Sequence, residues 1–184
     1  MEIENFTTSI KADPNLHSIN LDPKENIKNK EYIRKLLKNI AESSQESLKQ
    51  NLENAYHKEA ELNGFHPINE IKGLNAIHAL LWEPLITSFP DLERRDNLII
   101  GGSFQDKVFV SCISHLTGTF TKSWLNVPAT QKTIHLRVCE VHQLKENKII
   151  KSYVLIDTVD FVRQAGFWPT HSSLGIEEMW PGPI

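Results

Sequence analysis

The stretch IHLRVCEVHQLKENKIIKSYVLID, Ile134 to Asp157, decides how this chain is read. Two runs rich in Val, Ile, Leu and Tyr flank the polar turn Lys145-Glu146-Asn147-Lys148, the pattern of an antiparallel hairpin. Side chains alternate along a strand. Ile134, Leu136, Val138, Glu140, His142 and Leu144 therefore share one face, and His135, Arg137, Cys139, Val141 and Gln143 the other. A carboxylate and an imidazole thus stand on the more apolar face. Burying such a group without a partner costs roughly 2–7 kcal/mol. A wet pocket over that face removes the cost, and so does a structural bond from Glu140 to a hydroxyl or backbone amide. Spacing alone leaves both open.

Working outward, 184 residues with 40% hydrophobic and 23% charged residues suit one domain with an ordinary core. A net charge of −3 gives no basic footprint for nucleic acid or an anionic membrane. Cys112 and Cys139 lie in apolar strand-like runs and have neither metal-ligand spacing nor the density of a secreted scaffold. No apolar run approaches a membrane span, and the first residues lack a signal pattern, so a cytoplasmic protein is expected.

Residues 1–22 read as a polar extension and 23–184 as a single domain. Asp22-Pro23-Lys24-Glu25 starts a helix that places Ile33, Leu36, Leu37 and Ile40 on one stripe. Ser43-Ser44-Gln45-Glu46 starts a second, with Leu48, Leu52, Ala55 and Tyr56 facing inward. A short strand over Ala60 to Asn63 precedes a Gly/Pro loop. A helix follows over Leu74 to Phe89, kinked by Pro84. A meander comes next: Leu92–Ile100, a turn at Gly101-Gly102, Val108–Leu116, then the hairpin. The last helix spans about Val159–Ala165 with Gly166 as its cap, and a Pro-rich tail, Trp180-Pro181-Gly182-Pro183, follows. Helices first and strands after predict an α+β domain with the helices on one side of a curved antiparallel sheet.

This order of elements, with the phrases Phe89-Pro90-Asp91-Leu92, Gly118-Thr119-Phe120, Asn147-Lys148-Ile149 and Arg163-Gln164-Ala165-Gly166, resembles the SnoaL-like polyketide cyclase family over roughly residues 30–168. The resemblance implies the cone-shaped α+β barrel shared with nuclear transport factor 2 and ketosteroid isomerase. It also implies an apolar pocket between sheet and helices, a homodimer, and ring closure by aldol condensation with no metal or cofactor. The family's Gln-x-His on the first hairpin strand is similar to Glu140-Val141-His142, and its pocket Asn to Asn63. Its catalytic Asp falls on Val154, and Asp157 matches a second acidic position.

The candidate catalytic residues are accordingly Glu140, His142 and Asp157. Asn63, His66, Trp82, His115, Trp124, Arg137 and Tyr153 are the candidate ligand contacts. The ligand implied is a small, largely apolar carbonyl compound, acted on by proton abstraction. Each residue also has a plain alternative: a core hydrogen-bonded pair for Glu140 and His142, a helix cap or salt bridge to Arg137 for Asp157, core packing for the aromatics. Register decides Asp157. If paired residue numbers sum to an even value, Val154 lies opposite Glu140 and Asp157 beside Arg137, with Ile150, Val154 and Ile156 buried. If the sum is odd, Asp157 joins Glu140. The even register agrees with the family and is the one expected. It leaves Val141, Tyr153 and Leu155 on an open apolar face suited to a twofold dimer. A hydrolase of the limonene-epoxide type would want Arg-x-Asp on a strand facing another Asp. Arg137 is followed two residues on by Cys139, so that arrangement is not expected. The competing reading is a non-catalytic binding module that lost its base at Val154.

Overall fold

The computed structural model describes residues 23–167; the expected extension 1–22 and the Pro-rich tail lie outside the described residues. Helices α1 (Pro23–Ala41) and α2 (Gln45–Ala55) come first. Ile33, Leu37 and Ile40 of α1 and Leu48 and Leu52 of α2 are fully buried, so the predicted stripes face the core. Ser44 caps α2 by accepting the Ser47 N–H at 3.3 Å while Ser47 Oγ accepts the Ser44 N–H at 3.0 Å, a reciprocal box that satisfies two orphan donors. The chain leaves the helix one residue earlier than the sequence pattern suggests. Tyr56 is buried at the start of strand β1 (Tyr56–Gly64), not on α2.

After the short strand β2 (Glu70–Lys72), the expected single helix is broken into α3 (Leu74–Ile77), a π-turn (His78–Trp82) and α4 (Glu83–Ser88). Pro84 has no N–H to give the helical ladder, and just before it the Glu83 N–H reaches back five residues to the His78 carbonyl. The remaining strands are β3 (Glu93–Phe104), β4 (Lys107–Thr119), β5 (Thr133–Lys145) and β6 (Lys148–Ile156), and α5 (Thr158–Gln164) closes the described chain.

The strands form one mixed sheet in the order β2-β1-β6-β5-β4-β3. The β1–β6 pair is parallel and the other pairs are antiparallel. This is the curved sheet with covering helices of the ketosteroid isomerase-like, cone-shaped α+β barrel. The hairpin turn sits where expected: Glu146 and Asn147 both have positive φ, the two-residue loop whose twist matches its strands. The β3–β4 turn does not. It falls at Gln105-Asp106, both at positive φ, rather than at Gly101-Gly102. The strand runs straight through the glycines, and Gly101 instead makes room for α1, since a Cβ there would strike Asn26 and Lys30.

The β5–β6 register is even around the site: Glu140 faces Val154, Val138 faces Ile156 and Val141 faces Tyr153. A bulge between Gln143 and Leu144 then corrects one expectation. Ile149, not Ile150, is the buried residue at the far end of β6. A second bulge at Asn97 in β3 keeps Arg94 and Asp96 on the inner face and aims Leu98 and Ile100 outward.

Candidate functional site

The inner face of β3, β4 and β5 carries a polar cluster under the helices. Glu140 is 2% exposed and His142 fully buried. Burial of this kind demands partners. Glu140 finds one in Arg94, whose Nη2 donates to Glu140 Oε2 at 2.6 Å and to Ser114 Oγ at 2.8 Å. Arg94 Nε donates to Asp96 Oδ1 at 2.8 Å, and Ser114 Oγ donates to the same oxygen at 2.8 Å. Burial opposes the guanidinium charge, but the Glu140 and Asp96 carboxylates more than offset it and hold Arg94 charged. Cys112, opposite Glu140 on β4, has its thiol pushed up to about 12 by burial and the carboxylate. It is a neutral packing residue.

His142 lies one pleat further along β5, with Nδ1 2.8 Å from Ser152 Oγ on β6 and Nε2 3.9 Å from Glu140 Oε1. Burial lowers its pKa to about 4, against the Glu140 charge and with the help of Arg94. The imidazole is neutral at pH 7. The Tyr56 hydroxyl comes close to Ser152 and to the Trp82 indole without meeting hydrogen-bond geometry with either, and burial pushes its pKa up to about 12. Four buried polar atoms therefore have no protein partner here: Tyr56 Oη, Trp82 Nε1, Arg94 Nη1 and His142 Nε2. Buried polar atoms are rarely left so, and these share one neighbourhood around Ser152 and Glu140.

The structure thus brings together Glu140, His142 and Trp82 from the predicted set and adds Tyr56, Arg94, Asp96, Ser114 and Ser152. The other predicted residues lie elsewhere. Arg137 Nη2 donates to Asp157 Oδ2 at 2.7 Å, and Asp157 Oδ1 accepts the Asp160 N–H at 2.9 Å as the cap of α5. Both belong to the outer face with His115, which is buried, hydrogen-bonded to Asn97 and shifted toward neutrality by burial and by Arg137. These residues line an outer groove of about 500 Å³ with Ile113, Leu155 and Val159. Tyr153 is exposed on that face, and Asn63 is its register partner on β1. His66 is exposed in the loop after β1. Trp124 is core, packed edge-on against Phe65, Phe89 and Phe161.

The sequence also carries an Arg-x-Asp that went unnoticed, although its facing carboxylate is a Glu and not the second Asp that was sought. Arg94-Arg95-Asp96 is an Arg-x-Asp on a strand, and it faces the Glu140 carboxylate; the signal was present in β3, where period-two alternation puts Arg94 and Asp96 on one side. Among the described residues no cluster of three or more His, Cys, Asp or Glu side chains is placed to hold a metal ion. Among them, too, no helix is long and apolar enough to cross a membrane.

The family profile of SnoaL-like polyketide cyclases matches residues 34–165. The chain belongs to that family. Among solved structures, it resembles a candidate SnoaL-like polyketide cyclase from Jannaschia sp. CCS1 (TM-score 0.62, 16% identity, 76% of this chain and 92% of that one). It also resembles AclR, a candidate hydroxylase from Streptomyces galilaeus (0.63, 15%, 80% and 86%), and IdmH, a candidate polyketide cyclase from Streptomyces antibioticus (0.55, 15%, 72% and 97%). At these identities the likeness speaks for the fold. No curated protein matches the chain.

Proposed function

We propose that the inner site binds a small, largely apolar carbonyl compound and moves a proton at the carbon beside the carbonyl, with no cofactor. The observation that carries this reading is the set of partnerless buried atoms, Tyr56 Oη, Trp82 Nε1 and His142 Nε2. With its Nδ1 proton donated to Ser152 Oγ, His142 has a free lone pair on Nε2 to accept the proton. The C–H electrons then move into an enolate. The Tyr56 O–H and Trp82 N–H are donors for its oxygen in a water-poor setting, where such bonds contribute most. The imidazolium that results lies beside the Glu140 carboxylate. Glu140 itself, tied to Arg94, serves as that stabilising anion rather than as the base.

The test is deuterium incorporation at the α-carbon of 1-tetralone, followed by NMR. The wild type is expected to accelerate exchange, and His142→Gln and Tyr56→Phe to lose roughly 10²-fold or more. Folded variants that exchange as fast as wild type would overturn the assignment. A second reading, ligand retention without turnover, rests on Val154, buried opposite Glu140 where the family carries its Asp. It predicts no exchange but a small molecule that co-purifies in native mass spectrometry.

A further inference from the structure

Arg94 has no role in the proton transfer just described, yet it is the most heavily bonded side chain of the site. Its side chain is fully buried. It binds Asp96, Ser114 and Glu140, and its backbone N–H donates to Glu42 Oε1 at 3.2 Å, which ties β3 to the residue that follows α1. Two carboxylates share this one guanidinium. Take it away, and Glu140 and Asp96 lose the cation they share. Glu140 would then be free to turn toward the His142 ring, whose Nε2 now lies 3.9 Å from Oε1.

Resting on the proton-transfer reading, we propose that Arg94 is a positioning residue for that reaction: it claims Glu140 Oε2, fixes Oε1 toward His142 at a distance short of a hydrogen bond, and so delivers an uncharged imidazole with Nε2 open to the ligand. The distances divide the carboxylate in this way. Oε2 lies 2.6 Å from Arg94 and Oε1 3.9 Å from His142 Nε2. The other groups around His142 do not supply the same balance. Its own strand β5 brings Glu140, β3 brings Arg94 and Asp96, β4 the thiol of Cys112 and β1 the hydroxyl of Tyr56; β6 and the π-turn offer Ser152 and Trp82, which do not titrate. Arg94 is the cation of the set, and the field of Glu140 on the imidazole is opposed by it.

The experiment is an NMR titration of the His142 ring, assigned against His142→Gln, in the full chain and in Arg94→Met, Arg94→Lys and Glu140→Gln. In Arg94→Met the midpoint is expected to climb by at least about one pH unit, because an unopposed carboxylate favours the imidazolium. The acid limb of the 1-tetralone exchange profile should climb with it. Arg94→Lys keeps the charge but not the fork and should fall between. Glu140→Gln should move the midpoint the other way. A His142 midpoint unmoved in folded Arg94→Met would overturn the proposal and leave Arg94 a structural clamp. If Arg94→Met does not fold, the Lys and Gln variants decide, and midpoints unmoved in both overturn it equally. The ring titration needs no substrate, so a wild type inert toward 1-tetralone would sink the reaction while the titration still reads the positioning.

Discussion

Tyr56→Phe separates a site residue from a core residue without any knowledge of the ligand. Tyr56 is 2% exposed and its hydroxyl has no protein partner. A buried hydroxyl that is bonded within the protein contributes about 1 kcal/mol, and its removal costs that amount, plus more if the partner is left unpaired. A hydroxyl kept for a ligand makes no such contribution. Phenylalanine fills the same volume, removes only an oxygen and spares the desolvation of a polar group. The variant is therefore expected to be as stable as wild type or more stable by up to about 1 kcal/mol, which for a domain of this size raises Tm by about 2–4 °C. Urea unfolding at pH 7 measures this, provided the slope m is unchanged. Exchange of 1-tetralone should fall at the same time. A loss of about 1.5 kcal/mol or more would refute the reasoning, because it would mean that the hydroxyl is bonded to Ser152 or Trp82 in the resting protein.

Other outcomes follow from the same geometry. Asp157→Ala should cost about 1–2 kcal/mol, through the lost cap of α5 and the half-exposed bond to Arg137, and leave 1-tetralone exchange unchanged; loss of exchange in a folded variant would return Asp157 to the site. His142 titrates near 4 when folded and near 6.5 when unfolded, so between those values the unfolded chain binds more protons and stability falls as pH drops. Over that window the loss from this group is of order 3 kcal/mol, and the His142 contribution is constant above it. Urea midpoints at pH 4.5 and 7.5 should differ less in His142→Gln, and an equal difference would contradict the burial argument. The outer face, with Leu155 at 62% and Ile100 at 57% exposure, is expected to be covered by a second copy, so light scattering should give about twice the 21.1 kDa chain mass.

The legible parts of the fold were those with local causes. The hairpin turn, the helix starts and Gly166, at φ 91° in the closing motif of α5, each follow from chemistry within a few residues. The phrases that carried the family resemblance also have tertiary work. Asp91 accepts the N–H and hydroxyl of Thr119 at 2.6 Å each, Phe89 stacks on Phe120, and Gly118 leaves room for Phe89 and Leu92 to cross β4. Gln164 bonds both backbone groups of His135 at 2.8 Å, in place of a neighbouring strand. The site was half legible. Alternation alone placed Glu140 and His142 together, but their partners come from β1, β3 and β6, and no short-range pattern links Arg94 or Tyr56 to Glu140. The turn at Gly101-Gly102 failed for a related reason: Gly101 answers to α1, far away in sequence.

The π-turn has a consequence for how this site changes over evolutionary time. An extra residue in one helical turn rotates what lies before it against what lies after by about 100°. Here that offset falls between Ile77 and Pro84, and Trp82 rides on it. Dropping one residue from His78–Leu81 would restore an even helix and swing the indole off its present bearing, with the strands untouched. For this stretch, then, a change of length re-aims the lining as a substitution elsewhere in the turn would not. An alignment that closes such a gap silently would match the wrong side chains across the site.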